Sequence, residues 1–499
     1  MRETSLSRLV NCRASQNQAA PIYMEARTGK VTTWVDVAAQ AEHWRHNWSP
    51  GTTVGIVLAS PVAFCRAYLA GIAAGACVVP IDPSATAAEL VTTLDTLEVA
   101  DVVVDEETDV TFADHAVSTW EISESGLRRS NVGATRSTLA TGYAVLMATS
   151  GTTGRPKIVP LKEDHLLRVA TLIAEHLELG SADRCFSPLP LFHINAQVVG
   201  VLSTLVADSS LIVDDRFHRS DFWAIADELG ATWLNLVPAV LEILNHEPVP
   251  TDATLATLRF ARSASSTLPI SVLETFKSRF GIGVIETYGM TEAASQIAAN
   301  PLDEARRRPG SVGQLIGLEG RIVDEGGKGL GPEAIGAVEL RGRNVIDAYL
   351  GAHRVPRSAL TDDGWLPTGD LGRFDEDGFL YLAGRSDEVI NRSGEKVYPG
   401  EIEEVLLRNP QVLAAAVVGR PNATLGAEPV AFVTIVDPSR KDELVAELQA
   451  QCVTALSRYK RPVEILVVDE LPVGKSGKTA PNVLRASLSD APMDFVKTF

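Results

Sequence analysis

Apolar and polar positions follow one rhythm through most of this chain and a different one near its end. Thr53 to Leu58 is a short apolar run and predicts a strand. Val62 to Ala74 predicts a helix, and Ala76 to Pro80 a second strand. Tyr143 to Met147 predicts another buried strand. Beyond it, Leu166, Leu167, Ala170, Ala174 and Leu177 fall at helical spacing. Such alternation predicts parallel sheets flanked by helices. From Gly320 to Gly342 the texture changes to glycine-rich turns and short strands. Gly372 to Phe374 and Phe379 to Leu382 then flank Asp375 to Gly378, a hairpin with an Asp-Gly turn. After Arg385 the order resets: helix Glu401 to Arg408, strands Leu413 to Val418 and Val430 to Val436, helix Asp442 to Leu456, strand Val463 to Val468. The expected fold is multidomain α/β. A large N-terminal body, residues 1–386, has mostly parallel sheets flanked by helices plus a β-rich subdomain. A small mobile α+β lid, residues 387–499, follows it.

Composition narrows the class. The chain has 499 residues, 45% of them hydrophobic, enough for two or three cores. No apolar run reaches the length of a membrane span, and Met1 to Leu6 shows no signal-peptide apolar region. Cys12, Cys65, Cys77, Cys185 and Cys452 are scattered and form no CxxC pair, so neither a disulfide framework nor a zinc site is indicated. A reduced cytoplasmic setting is the expectation, and Cys452, in step with Leu444 and Leu448, reads as a core residue. Net charge is −18, from 45 basic and 63 acidic residues. That argues against general nucleic-acid binding. A polyanionic ligand would have to be held by local cations and N–H groups within a repelling field.

Chemistry enters at Thr149, Ser150, Gly151, Thr152, Thr153, Gly154, Arg155, Pro156 and Lys157. Hydroxyls, glycines and a lysine in a loop after a buried strand can present donors to a polyphosphate. The glycines let the backbone turn and approach the anion. The spacing is not that of a P-loop. Gly474 to Thr479 fails that pattern too, because Pro472 stands where its first glycine is needed. Alone, either stretch also reads as a solvated turn.

Further motifs follow: Tyr288-Gly-Met-Thr-Glu292, Thr368-Gly-Asp370, Gly384-Arg385 with Asp387, and Gly477-Lys478. In this order the set resembles the adenylate-forming superfamily, which includes acyl-CoA synthetases, peptide-synthetase adenylation domains and beetle luciferases. The resemblance runs from Gly55 to Lys478, nearly the whole chain. It implies an enzyme that joins a carboxylic acid to AMP, releases pyrophosphate, and passes the acyl group to coenzyme A. A carboxylate is a poor electrophile, so its oxygen must first become part of a better leaving group. The phosphate charge that develops is best met by preorganised donors.

The resemblance assigns roles residue by residue. The Thr149 to Lys157 loop would hold the β- and γ-phosphates. Thr291 would donate to the α-phosphate, and Glu292 would hold Mg²⁺, a hard cation suited to carboxylate and phosphate oxygens. Tyr288 would lie against adenine, with Glu286, Thr287 and Gly289 around it. Asp370 would accept from the ribose hydroxyls, helped by Arg385. Lys478 would reach in from the lid to stabilise charge during adenylation, and Asp387 would be the hinge. Arg392, Ser393, Gly394 and Lys396 would serve coenzyme A, with Gly394 making room for the pantetheine arm. Lys460 and Arg461 are further cations on the same face. His193 would border the acyl slot as a gate rather than as a base.

The slot would be lined by His193 to Gly200 (Gln197 among them), Asn235 to Val237, Ser263, Ala264, Ser265, Ser266 and Gly289. No lysine or arginine is expected deep within it. An unpaired buried charge is costly, so the expected substrate is a fatty, aryl or polycyclic monocarboxylic acid. The nearest flavour is the fatty-acid and oxalate CoA ligase branch, although oxalate-type ligases tend to carry histidine where Ser295 stands. Plainer readings remain beside these. Glu292 could serve a helix N-terminus, Asp370 could cap a turn, Lys478 could be a solvated lysine, and His193 a half-buried structural residue. The other functions open at this point are loading of a carrier protein's phosphopantetheine, a luciferase-like oxygenase, and a catalytically silent nucleotide-binding protein.

Overall fold

The computed structural model describes residues 5–16, 20–108, 117–123, 126–133, 140–149, 157–351, 354–472 and 480–488. Two nine-stranded sheets organise the body. In the first, five strands run parallel beside one another from Val284–Met290 through Phe260–Ser263, Trp233–Leu236 and Arg184–Ser187 to Ser210–Val213, with Pro21–Glu25 parallel beyond them. Its edges, Val31–Thr33 on one side and Ser295–Ala299 and Gln314–Leu315 on the other, are antiparallel. The second sheet is parallel from Val145–Thr149 through Cys77–Pro80, Thr53–Val57 and Asp101–Val104 to Ser118–Ser123. It too ends in antiparallel strands. The expected parallel character therefore holds at the centres, where both faces are covered, and lapses at the edges.

The alternation in sequence maps onto this frame. Thr53–Val57 is buried at every position, as a strand covered on both faces must be. Helix Pro61–Ala73 follows, with Ser60 as N-cap and Pro61 in the first turn, where a missing N–H costs nothing. Nearly all its residues are buried, so it lies inside the body rather than on its surface. Helix Glu163–His176 buries Leu166, Ala170 and Ala174 of the predicted face, with Val169 and Ile173 beside them, and leaves Leu167 half-buried. One continuous core joins these helices to both sheets.

A four-stranded antiparallel sheet comes next: Glu319–Val323, Gly336–Arg341, Leu366–Phe374 and Leu380–Arg385. Val338, Leu340, Leu366 and Leu380 are its core. Beyond Arg385 a five-stranded sheet with helices Pro399–Leu407 and Lys441–Ala455 has its own core, made of Ile390, Val397, Ile402, Leu406, Leu444, Leu448 and Cys452 among others. Cys452 is 2% exposed and packs as its spacing predicts. This C-terminal unit touches the body through polar contacts. Lys396 Nζ lies 2.6 Å from Glu325 Oε1, and Ser271 Oγ donates to the Leu407 carbonyl at 3.3 Å. An exposed ion pair of that kind contributes little.

Candidate active site

Strand Val284–Met290 carries the central motif. It pairs in parallel with Phe260–Ser263 as far as Glu286, then turns antiparallel to Ser295–Ala299 from Thr287 onward. The chain reverses through the short turn Thr291–Ala293, with Ala294 and Ser295 both at positive φ, 55° and 98°. That reversal presses Gly289 against its neighbour: a Cβ there would lie 1.9 Å from the Ser295 carbonyl oxygen. Only glycine fits, so the motif's glycine is explained by close approach.

Tyr288 and Asp370 meet across the first sheet and the β-rich subdomain. The Tyr288 hydroxyl donates to Asp370 Oδ2, and Arg385 Nη1 donates to Asp370 Oδ1 at 3.1 Å. Asp370 and Arg385 are register partners in one antiparallel hairpin. Gly369, at φ 77°, lets the Arg385 guanidinium pass; a Cβ there would sit 2.9 Å from Arg385 Nη2. Burial, and then the Asp370 charge, push the Tyr288 hydroxyl well above its ordinary value, so it stays a donor. Arg385 Nε also lies 3.6 Å from Asp387 Oδ1.

On the other side of the same motif stands a residue that sequence reading missed. The Tyr349 hydroxyl donates to Glu292 Oε1 at 3.0 Å. Lys157 Nζ lies 4.8 Å from the centre of the Tyr349 ring. Strand Ala348–Leu350 brings this about by pairing Leu350 with Ile158. Burial first, then Glu292, raises the Tyr349 hydroxyl well above its usual range. Glu292 is 9% exposed, and its backbone carbonyl accepts from Ile346 N–H at 2.9 Å. A carboxylate has about four lone-pair sites, so one tyrosine leaves oxygen capacity for a hard cation. Thr291 is half-buried at the start of the turn. Residues Ser150 to Pro156, and Lys478, lie outside the described residues. The loop's two ends do not: Thr149 and Lys157 are register partners, joined by Thr149 Oγ1 donating to the Lys157 carbonyl at 3.4 Å.

Glu286 is 4% exposed, and burial lifts its carboxyl to about 8 despite a hydrogen bond from the Leu268 N–H. Thr287 Oγ1 donates to the Ser263 carbonyl at 3.0 Å, which ties the motif to the next strand.

The expected slot walls come together, but not as an apolar surface. His193 is half-buried with its ring 4.4 Å from Phe192, centre to centre. Gln197 is fully buried and donates to the Leu191 carbonyl at 3.0 Å. Gly200 lies in the π-helix Ala196–Leu202, beside Leu211 and Ser187. Ser263 and Ala264 are buried, while Ser265 is exposed at φ 77°. Among them sits Arg262, 1% exposed. It donates to Asn195 Oδ1 at 3.1 Å, to Asn235 Oδ1 at 3.0 Å, and through Nε and Nη2 to Gln296 Oε1 at 3.3 and 3.1 Å. The expectation of walls without a buried cation is therefore corrected. Arg262 escaped notice because it sits between Ala261 and Ser263 on a short central strand, where local pattern does not reveal direction.

In the C-terminal unit, Arg392 donates to the Tyr459 and Arg461 carbonyls at 3.0 and 3.4 Å, so its guanidinium is engaged internally. Ser393 and Gly394, at φ 56° and 88°, form an exposed turn. Lys460 pairs with Glu401 at 2.5 Å. Arg461 donates to the Val453 and Leu456 carbonyls at 2.9 and 3.0 Å. Among the described residues, a group of candidate metal ligands, Asp214, Asp215 and His218, lies elsewhere and is already met by Arg27, 3.0 Å from Asp214.

Comparison with known proteins places the chain in a family. The model for AMP-binding enzymes matches residues 13–350, and the model for the AMP-binding enzyme C-terminal domain matches residues 401–478. A sulfoacetate–CoA ligase from Cupriavidus necator is 44% identical over 335 residues, 67% of this chain and 65% of that protein. The match thus spans slightly less than two thirds of that relative. An oxalate–CoA ligase from Arabidopsis thaliana is 35% identical over 356 residues, 70% of this chain and 68% of that protein. The crystal structure of ATP-bound MatB from Rhodopseudomonas palustris superposes with a TM-score of 0.84 at 28% identity, covering 96% of this chain and 99% of that one. No helix among the described residues is long and apolar enough to cross a membrane. With its larger part and its C-terminal part both matched in order, the chain belongs to the AMP-binding enzyme family.

Proposed function

We propose that this protein is an AMP-forming acid–thiol ligase. It joins an organic acid to the α-phosphate of ATP, releases pyrophosphate, and transfers the acyl group to coenzyme A. The observation that carries this reading is the convergence on one motif. Tyr288, Asp370 and Arg385 form a polar cluster on one side of Gly289, and Glu292, Tyr349 and Lys157 form another beyond Thr291. The first suits a nucleoside, offering an anionic acceptor for ribose hydroxyls and a ring for the base. The second suits a polyphosphate with its cation, offering one carboxylate and one ammonium. The relatives act on sulfoacetate and oxalate with coenzyme A, by their names, which supports the same chemistry here.

In this reading, Mg²⁺ held by Glu292 would screen phosphate charge. Lys157 and the 149–157 loop hold the outgoing pyrophosphate, and Thr291 donates to the α-phosphate. The carboxylate of the acid attacks phosphorus and needs no proton removed, since it is ionised near neutral pH. His193 therefore borders the acid's path instead of acting as a base. Residues 1–386 form the body and 387–499 a lid that pivots at Asp387. Lys478 from the lid assists adenylation, and the Ser393–Gly394 turn replaces it to admit pantetheine.

The test is direct. Purified protein with ATP, Mg²⁺ and an acid panel should release pyrophosphate, and mass spectrometry should find acyl-AMP, then acyl-CoA once coenzyme A is added. Release of ADP in place of AMP would contradict the reading. A second reading, transfer to a carrier protein, shares the first half-reaction; acyl-AMP that persists with coenzyme A and is consumed by holo-carrier would favour it.

A further inference from the structure

Arg262 is a full positive charge in a shell of neutral groups. Its four hydrogen bonds all go to side-chain amide oxygens. Burial lowers it from 12.5 to about 9; the Cys185 thiol beside it is itself kept neutral by burial, and the His176 imidazole, lowered by burial and by Arg262 among other groups, supplies no negative charge. A buried cation without a counter-ion is unfavourable. Chains that keep one pair it with an acid or use it on a ligand.

Its position separates those uses. Two of the amides come from expected slot walls, and the third from the strand paired with Gly289. Asn195 belongs to the His193–Gly200 segment, Asn235 to the end of strand Trp233–Leu236, and Gln296 is the register partner of Gly289 in the central motif. Arg262 itself precedes Ser263. Asn235 and Gln296 are buried, whereas Asn195 is half-buried and its Nδ2 lies 3.4 Å from the exposed Ser265 hydroxyl. The cage is therefore thinnest on the Asn195 side. An anion entering there meets a guanidinium fork already oriented by Gln296, and replaces a neutral oxygen with a charged one. The bonds to the amides already have a charged donor; an anion adds a counter-charge and can engage the fork in a bidentate way.

We propose, resting on the ligase reading of the same cleft, that Arg262 is the counter-charge for a second anionic group, carboxylate or sulfonate, on a short organic acid. It thereby sets which acids the site accepts. One carboxylate goes to the α-phosphate beside Thr291 and Glu292; the other group sits on Arg262, one strand away. This replaces the expectation of a fatty or aryl monocarboxylic acid, whose apolar body would lie against an unpaired charge.

The experiment compares kcat/KM for pyrophosphate release across matched acids: sulfoacetate, malonate and succinate against propionate, butyrate, octanoate and benzoate. The wild-type protein should favour an acid with two anionic groups by ~100-fold or more, the scale for pairing a buried charge. Sulfoacetate against malonate tells sulfonate from carboxylate. Arg262→Gln should lose ~100-fold on that acid, mainly through KM. Because Arg262→Gln risks the fold, Gln296→Glu is the second variant. It places a carboxylate on the guanidinium at nearly unchanged shape, should melt no lower than wild type, and should lose the same preference. Full use of the two-anion acid by Gln296→Glu, or equal use of octanoate or benzoate by wild type, would overturn the role of Arg262 while leaving the ligase intact. No pyrophosphate release with any acid would overturn the ligase reading and this inference together.

Discussion

Tyr349 donates to Glu292 Oε1 at 3.0 Å, and the same ring lies 4.8 Å from the Lys157 ammonium. One tyrosine thus sits between the carboxylate proposed for the metal and the lysine proposed for the outer phosphates. Its hydroxyl stays protonated throughout the working range, because burial and Glu292 both oppose ionisation. Toward the carboxylate it is therefore the donor, and so it orients Glu292.

Removing that donor should loosen the metal site. Tyr349→Phe is expected to lower the adenylation rate by ~10-fold, the scale of one hydrogen bond to a charged group. It should also raise the Mg²⁺ concentration needed for half-maximal pyrophosphate release. Titration of Mg²⁺ in both proteins checks this; an unchanged Mg²⁺ requirement would leave Tyr349 a packing residue.

Much of the body was legible beforehand, and the reason is local. Thr53–Val57 and Pro61–Ala73 announce themselves by apolar runs and by spacing. The hairpin that pairs Asp370 with Arg385 announces itself by its Asp-Gly turn. Tyr349 and Arg262 could not be found that way. Tyr349 reaches Glu292 across 57 residues, and only the pairing of Leu350 with Ile158 brings them together. Arg262 acquires its meaning from Asn195, Asn235 and Gln296, on three separate segments. Neither relation leaves a trace in spacing.

The nucleoside side offers a second test. Asp370 holds the Tyr288 hydroxyl on one oxygen and Arg385 on the other. Asp370→Asn keeps the shape and removes the charge. The KM for ATP should rise by ~10- to 100-fold, as expected for loss of charge-assisted acceptance, with a smaller effect on kcat. A fall in kcat at constant KM would contradict a binding role.

Glu286 makes stability depend on pH in a definite direction. Its carboxyl is raised from 4.5 to about 8 in the folded protein. Below 4.5 both folded and unfolded forms carry the proton. Between 4.5 and about 8 the folded form keeps it while the unfolded chain has lost it, so this group's contribution to stability falls as pH rises and is fully lost above about 8. Glu286→Gln cannot ionise. Its melting temperature relative to wild type should climb through that window and then level. Scanning calorimetry on both proteins measures it; a difference that does not change with pH would contradict a raised carboxyl.

Gly289 tests the geometry of the motif itself. With a Cβ placed 1.9 Å from the Ser295 carbonyl oxygen, Gly289→Ala must displace one strand of the reversal. A loss of ~1–3 kcal/mol of stability is expected, as for overpacking elsewhere. Thr291 and Glu292 move with that strand, so adenylation should fall with it. Unchanged melting and unchanged pyrophosphate release would show that the reversal is looser than described.

The ligase reading requires reversible formation of an acyl-adenylate beside Asp370 and Glu292. ATP–pyrophosphate exchange measures it most directly, using labelled pyrophosphate and no coenzyme A. The expected result is label entering ATP only when Mg²⁺ and an accepted organic acid are both present, with Glu292→Gln abolishing it. Exchange that proceeds without any acid, or no exchange with any acid of a broad panel, would contradict it.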